Sequence, residues 1–321
     1  MYITKQLNKV ETRLITFGDP FKCSSEVIVV ITGSPGIPEF YTEFAEQLHR
    51  CTQLPVCVVG HAGHDEIEDA REKYPRKWSL YNTEGQIEHK LDLINNYFDK
   101  NTKLHLIGHS IGAWMLMELL HKNDYLTDRI SSVNLLFPTL QKFSATKNGK
   151  LVNNFVRYLH RIILLFLFII QFVPTIRFLG IKLYLYLNSL PSYYVKRVTI
   201  YLNPMLQEKS MLLAYEAMDR IHELNTSAIN KVKYMTNILY SEEDAWVPMH
   251  HIEDLKKFRP YVILHKVNVD HAFVLKSSAL VADVVGNMIN NGNDMMPFKF
   301  ESVNFETYAD NLPINSFFRR S

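Results

Sequence analysis

The chain has few cysteines, no long basic tract, no apolar run at its N-terminus and no dinucleotide-type glycine fingerprint, and each absence closes off a class of function. Three cysteines in 321 residues, Cys23, Cys51 and Cys57, are odd in number and lack metal-ligand spacing. They read as reduced core thiols of a cytosol-facing protein, not as a disulfide framework or a zinc site. With 35 Lys and Arg against 33 Asp and Glu, the net charge is +2, without the electrostatic footprint of a nucleic-acid binder. Residues 1–19 alternate polar and apolar side chains and contain nothing like the core of a signal peptide, so secretion is not expected. There is no internal repeat or low-complexity linker. What is there is the composition of a globular chain, 47% hydrophobic and 21% charged, long enough for one large domain with an insertion.

Short segments rich in Val, Ile and Leu recur, most of them followed by a helix-like stretch, which is the pattern of βα units around a buried parallel sheet. The strands are expected at Val27–Thr32, Val56–Gly60, Lys103–Gly108, Ser132–Phe137, Val232–Tyr240 and Tyr261–Val267. Partner helices are expected at Glu39–Arg50, Gly85–Asp99, Ala113–Lys122, Glu253–Phe258 and Ser278–Asn290. This alternation predicts an α/β fold with a mostly parallel central sheet flanked by helices. It stops between Phe137 and Lys231, where aromatic, aliphatic and basic residues dominate. The expected organisation is one domain over residues 1–321 with a hydrophobic helical insertion over 141–230. The tail from about Met295 carries no readable pattern.

The segment Lys103–Met115 reads as strand, tight turn and helix start, with Gly108-His-Ser110-Ile-Gly112 at the turn. That is the context a G-x-S-x-G nucleophile elbow needs, since strand and helix backbones pass close on either side of the serine. A serine hydroxyl needs a base to take its proton and an acid to hold that base, in the chain order Ser, acid, His. Asp244 follows a hydrophobic strand and precedes Pro248, where an acid is wanted, and Glu242 and Glu243 are its close competitors.

The base is expected at His271, after the last core strand, although the chain has thirteen histidines. His109 is too close in sequence to Ser110 to approach it, His250 and His251 follow Asp244 too early, and His265 lies within a strand. Asp270 is read as a solvated neighbour. The oxyanion that forms during acyl transfer needs two backbone N–H donors. One is expected from Ile111, after the nucleophile, and the other from Ser34 in the loop Thr32-Gly-Ser-Pro-Gly36. That loop lacks G-x-G-x-x-G spacing, and Pro35 and Pro38 remove N–H groups that a pyrophosphate would use. No cofactor is expected. No metal is expected either, because His61 and His64 lack a third ligand and read as loop-packing residues.

With these residues placed, the chain resembles the lipid-droplet-associated hydrolase family of α/β-hydrolases. The resemblance rests on Ile31-Thr-Gly-Ser-Pro-Gly36, Gly60-His-Ala-Gly-His64, Gln86-Ile-Glu-His-Lys90, Gly108-His-Ser-Ile-Gly112, Leu135-Leu-Phe-Pro-Thr139 and the Asp244 and His271 loops. Thr32 and Ser34 stand where the family's commonest loop has proline and asparagine. The resemblance implies the α/β-hydrolase fold, lipid droplets and the cytosolic face of the endoplasmic reticulum as locations, and a role in sterol-ester or neutral-lipid turnover.

The insertion carries fifteen almost wholly apolar residues between Arg161 and Arg177. A helix of that length spans about 22 Å, short of a hydrocarbon core of roughly 30 Å, and Pro174 should break it. Two readings stay open: a kinked hairpin in one lipid leaflet, anchored through Ile162, Leu165, Phe168 and Pro174, or a buried cap helix over the active site. Function likewise divides. One expectation is a carboxylic ester hydrolase with a lipid ester as substrate and a droplet or membrane surface as partner. The other is a droplet-organising or tethering protein that keeps the scaffold with little turnover. A soluble thioesterase-like hydrolase would leave the apolar insertion unexplained.

Overall fold

The computed structural model describes residues 1–22, 25–65 and 77–292. Cys23 and the tail beyond Met295 lie outside them. Cys57 is buried and Cys51 partly so, both as free thiols.

Eight strands form one sheet: β1 (Tyr2–Leu7), β2 (Val10–Phe17), β3 (Glu26–Ile31), β4 (Val56–Val59), β5 (Lys103–His109), β6 (Ile130–Leu136), β7 (Thr236–Tyr240) and β8 (Ile263–Lys266), in the order β1-β2-β4-β3-β5-β6-β7-β8. The strands from β4 through β8 in that order pair in parallel. β1 and β2 form an antiparallel hairpin on the edge, and β2 pairs antiparallel with β4. Along β3 the side chains alternate between two cores: Val27, Val29 and Ile31 enter one, Ile28 and Val30 the other. A period of two with both faces covered makes the whole strand apolar.

The flanking helices are α1 (Thr42–Thr52), α2 (Thr83–Asn96), α3 (Ile111–Lys122), α4 (Lys147–Ile170), α5 (Pro174–Leu187), α6 (Tyr194–Tyr201), α7 (Pro204–Arg220), α8 (Thr226–Val232), α9 (Met249–Leu255) and α10 (Ser278–Asn291). Side chains of α2, α3 and α7 fill one core and those of α1 and α10 the other. Most boundaries shift by a few residues, as where the helix expected from Glu253 begins at Met249, and two differences matter most. Val232 ends α8, and a single 3-10 turn separates it from β7, so that strand starts four residues later than its apolar run implies.

The second difference concerns the insertion. The apolar run forms the last part of α4 and continues past it into the start of α5; α4 starts at Lys147, contains one π-helical turn over Val152–Val156, and is by length and composition able to cross a membrane. The expectation of a helix too short to span is thereby corrected, because the less apolar residues 147–160 are helical as well. The break at Pro174 is as expected: α4 ends at Ile170 and Pro174 opens α5 as its first residue. Ile162, Leu165, Phe168 and Pro174 are all exposed.

Candidate active site

Ser110 sits between β5 and α3 with φ 53° and ψ −122°, a backbone state that a non-glycine residue seldom adopts. Two glycines make the turn possible. A Cβ on Gly108 would stand 2.6 Å from Ala113 Cα, and one on Gly112 would stand 2.4 Å from the Thr32 carbonyl oxygen. The strained turn is held by the Ser110 N–H donating to Leu136 O (3.0 Å) and by Ser110 O accepting from Ala113 N and Thr139 N.

The structure brings the three expected side chains together. His271 Nε2 lies 2.9 Å from Ser110 Oγ, and His271 Nδ1 lies 2.7 Å from Asp244 Oδ2. Asp244 Oδ1 accepts from the Trp246 and Val247 N–H groups at 2.8 and 3.1 Å, which fixes the carboxylate's orientation. Its side chain is 1% exposed, so it meets the imidazole away from water. A carboxylate can only accept here, so Nδ1 carries the proton and Nε2 is left as an acceptor for the serine hydroxyl. Glu242 is exposed and pairs with Lys266 at 2.6 Å, and Glu243 and Asp270 are exposed. His250 is exposed, while His251 and His265 are buried away from Ser110.

In the loop after β3, Gly33 presses on the serine: a Cβ there would stand 3.0 Å from Ser110 Cβ. The loop's donors can be counted. The Gly33 N–H donates to Tyr41 Oη (2.7 Å), Pro35 has none, and the Gly36 N–H donates to Gly33 O (2.7 Å). Among the described residues no acceptor meets the N–H of Ser34 or that of Ile111, and both residues border the same cavity as Ser110.

Three groups were not assigned a role from sequence. Tyr41 Oη also bonds His109 Nδ1 (2.5 Å), and His109 Nε2 lies 3.0 Å from the His271 carbonyl oxygen. Since that carbonyl only accepts, Nε2 carries the proton and Nδ1 accepts from the tyrosine hydroxyl. One chain of hydrogen bonds thus runs from the Gly33 amide through Tyr41 and His109 to the backbone of His271. Adjacency keeps His109 from acting as base, yet it lets the ring tie the two loops together. Thr139 Oγ1 is 3.3 Å from Ser110 Oγ. Of these His109 and Thr139 lie in motifs, the first in the elbow itself; nothing in the sequence points to Tyr41.

The motifs Gly60–His64 and Gln86–Lys90 support the same loop from below. His64 Nδ1 donates to Pro35 O (2.6 Å), His61 N donates to Gly36 O (2.9 Å), and a Cβ on Gly36 would collide with the His61 ring at 2.5 Å. Lys90, 1% exposed, donates to Gln86 Oε1 (2.7 Å), and Gln86 in turn bonds both the N–H and the carbonyl of Ala62. Among the described residues no group of His, Cys, Asp and Glu could hold a metal ion.

Burial pushes the imidazoles of His61, His89 and His109 well below the ordinary histidine range and His64 down to about 3. Burial also holds the Lys90 amine well below the usual lysine range, with Asp65 acting in the opposite direction. Each ring stays neutral in the folded state and protonates near pH 6.5 once unfolded, so protons favour the unfolded chain. Depressed folded-state pKa values therefore leave stability intact above about pH 6.5, and it falls by about 1.4 kcal/mol per pH unit per ring below that. Lys90 tilts the balance the same way from higher pH. The melting temperature is expected to drop steeply from about pH 6.5 to about pH 5. A flat profile in a thermal melt series would contradict the buried neutral cluster.

Ser110, Ser34, Ile111 and His271 open onto a cavity of 840 Å³. Its walls are mostly apolar, from Phe143, Leu213, Met218 and Val274 near the core to Val152, Val156, Ile170, Ile181 and Tyr184 on α4 and α5. Among the described residues, Arg177 is its one lining residue of the Asp, Glu, Lys and Arg types. The arrangement can activate a hydroxyl and hold a large apolar molecule against it.

Comparison with known proteins places the chain in a family. Residues 24–274 match the family model described as lipid-droplet associated hydrolase. A lipid droplet-associated hydrolase of Drosophila melanogaster is 34% identical over 295 residues, covering 88% of this chain and 96% of that protein. The Homo sapiens protein of that name is 27% identical, covering 83% and 85% respectively. Among solved structures, a haloalkane dehalogenase of Agrobacterium tumefaciens superposes with a TM-score of 0.63 at 13% identity, covering 90% of this chain and 96% of that one. A membrane phospholipase A described as a bacterial virulence factor gives 0.62 at 12% identity, covering 92% and 87%. Such distant likeness speaks for the fold alone. The extent of the family match and the Drosophila relative settle the membership: this chain belongs to the lipid-droplet associated hydrolase family and has the α/β-hydrolase fold.

Proposed function

We propose that the protein hydrolyses a carboxylic ester of a neutral lipid, a sterol ester being one such substrate, at the surface of lipid droplets and the cytosolic face of the endoplasmic reticulum. Ser110 attacks the ester carbonyl while His271 takes its proton, and Asp244 keeps the imidazole in the receptive tautomer and stabilises its charged form. The N–H groups of Ile111 and Ser34 receive the oxyanion. His271 then passes the proton to the departing alcohol, and water attacks the acyl-Ser110 ester by the same route in reverse. Neither step calls for a cofactor or a metal.

The observation that carries this reading is the Asp244–His271–Ser110 relay opening into an apolar cavity whose outer wall is α4 and α5. An apolar helix face that the protein itself does not cover belongs in lipid. On α4 one face lines the cavity, while Phe155, Ile162, Leu165, Phe166 and Ile169 on the other are 54–65% exposed. On α5, Ile176, Leu179, Leu183 and Leu187 are 57–70% exposed. Over residues 141–230 the insertion acts as cap and anchor at once. Because one face of α4 is committed to the cavity, the helix lies in a single leaflet and does not cross. The two readings of the insertion therefore merge.

This dual role rules out deletion of residues 155–186 as a test of anchoring, since it would also open the cavity. Replacing Ile162, Leu165 and Phe168 by Ser touches the outer surface only. Each side chain contributes roughly 1.5–3 kcal/mol when buried in lipid, so the triple variant is expected to partition to droplets at least about 100-fold less. It should lose hydrolysis of emulsified lipid ester and keep hydrolysis of a soluble short-chain ester. Equal flotation of variant and wild type with an oil emulsion would contradict the anchor.

Tyr41→Phe removes the hydroxyl that joins Gly33 to His109. Its kcat on a soluble ester is expected to fall on the order of ten-fold with little change in KM, because the loops carrying oxyanion donor and base lose their connection. An unchanged kcat would assign Tyr41 to packing alone.

A further inference from the structure

Between Asp128 and Glu208 the chain contains ten Lys and Arg and not one Asp or Glu, although the whole molecule carries a net charge of only +2. The positive charge is therefore concentrated on the segment that holds α4 to α6, and the rest of the chain is acidic overall. Some of these cations are neutralised by residues outside the segment, among them Arg157 by Asp219 at 2.7 Å and Arg197 by Glu43 at 2.5 Å. Lys150, Arg161 and Lys182 are exposed, and among the described residues no carboxylate pairs with any of them.

Helical spacing places these charges relative to the apolar surface. On α4, past the π-helical turn, positions 158, 159, 162, 165, 166 and 169 fall on one face by the i, i+4, i+7, i+8 rule, and all are exposed apolar or aromatic residues. Arg157 and Arg161, four apart, lie along one edge of that face, and Lys150 precedes the π-helical turn at the start of the same helix. On α5 the exposed residues Ile176, Leu179, Leu183 and Tyr186 form a second stripe, and Lys182 lies beside it with its ammonium 4.7 Å over the Phe178 ring. Long basic side chains beside an inserted apolar stripe extend to the headgroup level while their stems stay in the acyl region.

Building on the lipid-surface reading above, we propose that this face docks on phospholipid layers carrying net negative headgroups, and that the exposed cations Lys150, Arg161 and Lys182, which no carboxylate pairs among the described residues, select them over neutral layers. The apolar stripes supply insertion on any lipid surface. The cations add an attraction that exists only where the headgroups are anionic and that salt screens. The acidic remainder of the molecule is repelled by the same surface. Both effects turn α4 and α5, and with them the cavity wall that they form, toward the lipid.

The test is flotation of the full-length protein with vesicles of phosphatidylcholine alone and of phosphatidylcholine mixed with phosphatidylserine, at low and at high salt. Wild type is expected to bind the anionic vesicles at least about 100-fold more tightly at low salt, with that advantage collapsing at high salt. The triple variant Lys150→Gln, Arg161→Gln, Lys182→Gln should lose about five-fold per removed charge on anionic vesicles and nothing on neutral ones. Equal wild-type affinity for both vesicle types, or a triple variant that binds anionic vesicles like wild type, overturns the headgroup selectivity while leaving insertion standing. Failure of wild type to bind either type defeats the underlying lipid-surface reading as well. Thermal melts of the variant exclude misfolding, since all three side chains are exposed and none touches the cavity.

Discussion

Ser110→Ala is expected to lower kcat on any ester that the protein turns over by about six orders of magnitude, the scale seen when the nucleophile of a serine hydrolase is removed. The substitution removes one atom from a side chain that is 8% exposed and bonded to His271 and Thr139. Alanine meets the same backbone cost as serine at φ 53°, because both carry a Cβ. The fold and the exposed faces of α4 and α5 are thus left as they were, and binding to droplets should match wild type. This separation distinguishes an enzyme from a tether: a tethering protein would keep its cellular effect on droplets with Ser110 replaced, and an enzyme would lose it. Residual turnover within about a hundred-fold of wild type would mean that another residue is the nucleophile.

The second large effect belongs to Asp244→Asn, expected to lower kcat by about four orders of magnitude with little change in stability. The asparagine carbonyl can still accept from the Trp246 and Val247 N–H groups. Its amide then faces His271 Nδ1 as a donor, which forces the ring proton onto Nε2, where it can no longer accept from Ser110. Glu242→Gln and Glu243→Gln, the nearest sequence competitors, should leave turnover close to wild type, because both side chains point to solvent and Glu242 is engaged with Lys266. Steady-state kinetics on a soluble ester decides the matter. A loss below ten-fold for Asp244→Asn would remove that carboxylate from the relay.

The parallel part of the sheet was readable because buried strands are written as short, continuous apolar runs with glycines and prolines at their ends. The edge hairpin was not. β1 alternates exposed with partly buried residues, and its turn, Asn8-Lys9, adopts φ 44° and 67° without the glycine that ordinarily signals such a turn. The length of α4 was hidden for a related reason. Lys147, Lys150 and Asn153 interrupt the hydrophobic signal, although they sit on a helix whose other faces are apolar, so composition marked only its second half. Ser110, Asp244 and His271 were legible from local context and chain order. Tyr41 and His109 were not, because their roles arise from contacts between β5, the loop after β3 and the loop after β8. His109 in particular was set aside as a base for a sound reason that says nothing about its value as a connector.

The central claim is that Ser110 is activated by His271 within the folded protein. A fluorophosphonate probe reacts with an activated serine and leaves a covalent mark, so the most direct test compares labelling of wild type, Ser110→Ala and His271→Ala with and without a lipid emulsion. The account predicts strong labelling of wild type, none of Ser110→Ala, and a large loss for His271→Ala, with lipid increasing the wild-type signal. Wild-type protein that binds the emulsion yet stays unlabelled under every lipid condition would contradict it and leave anchoring as the function of this fold.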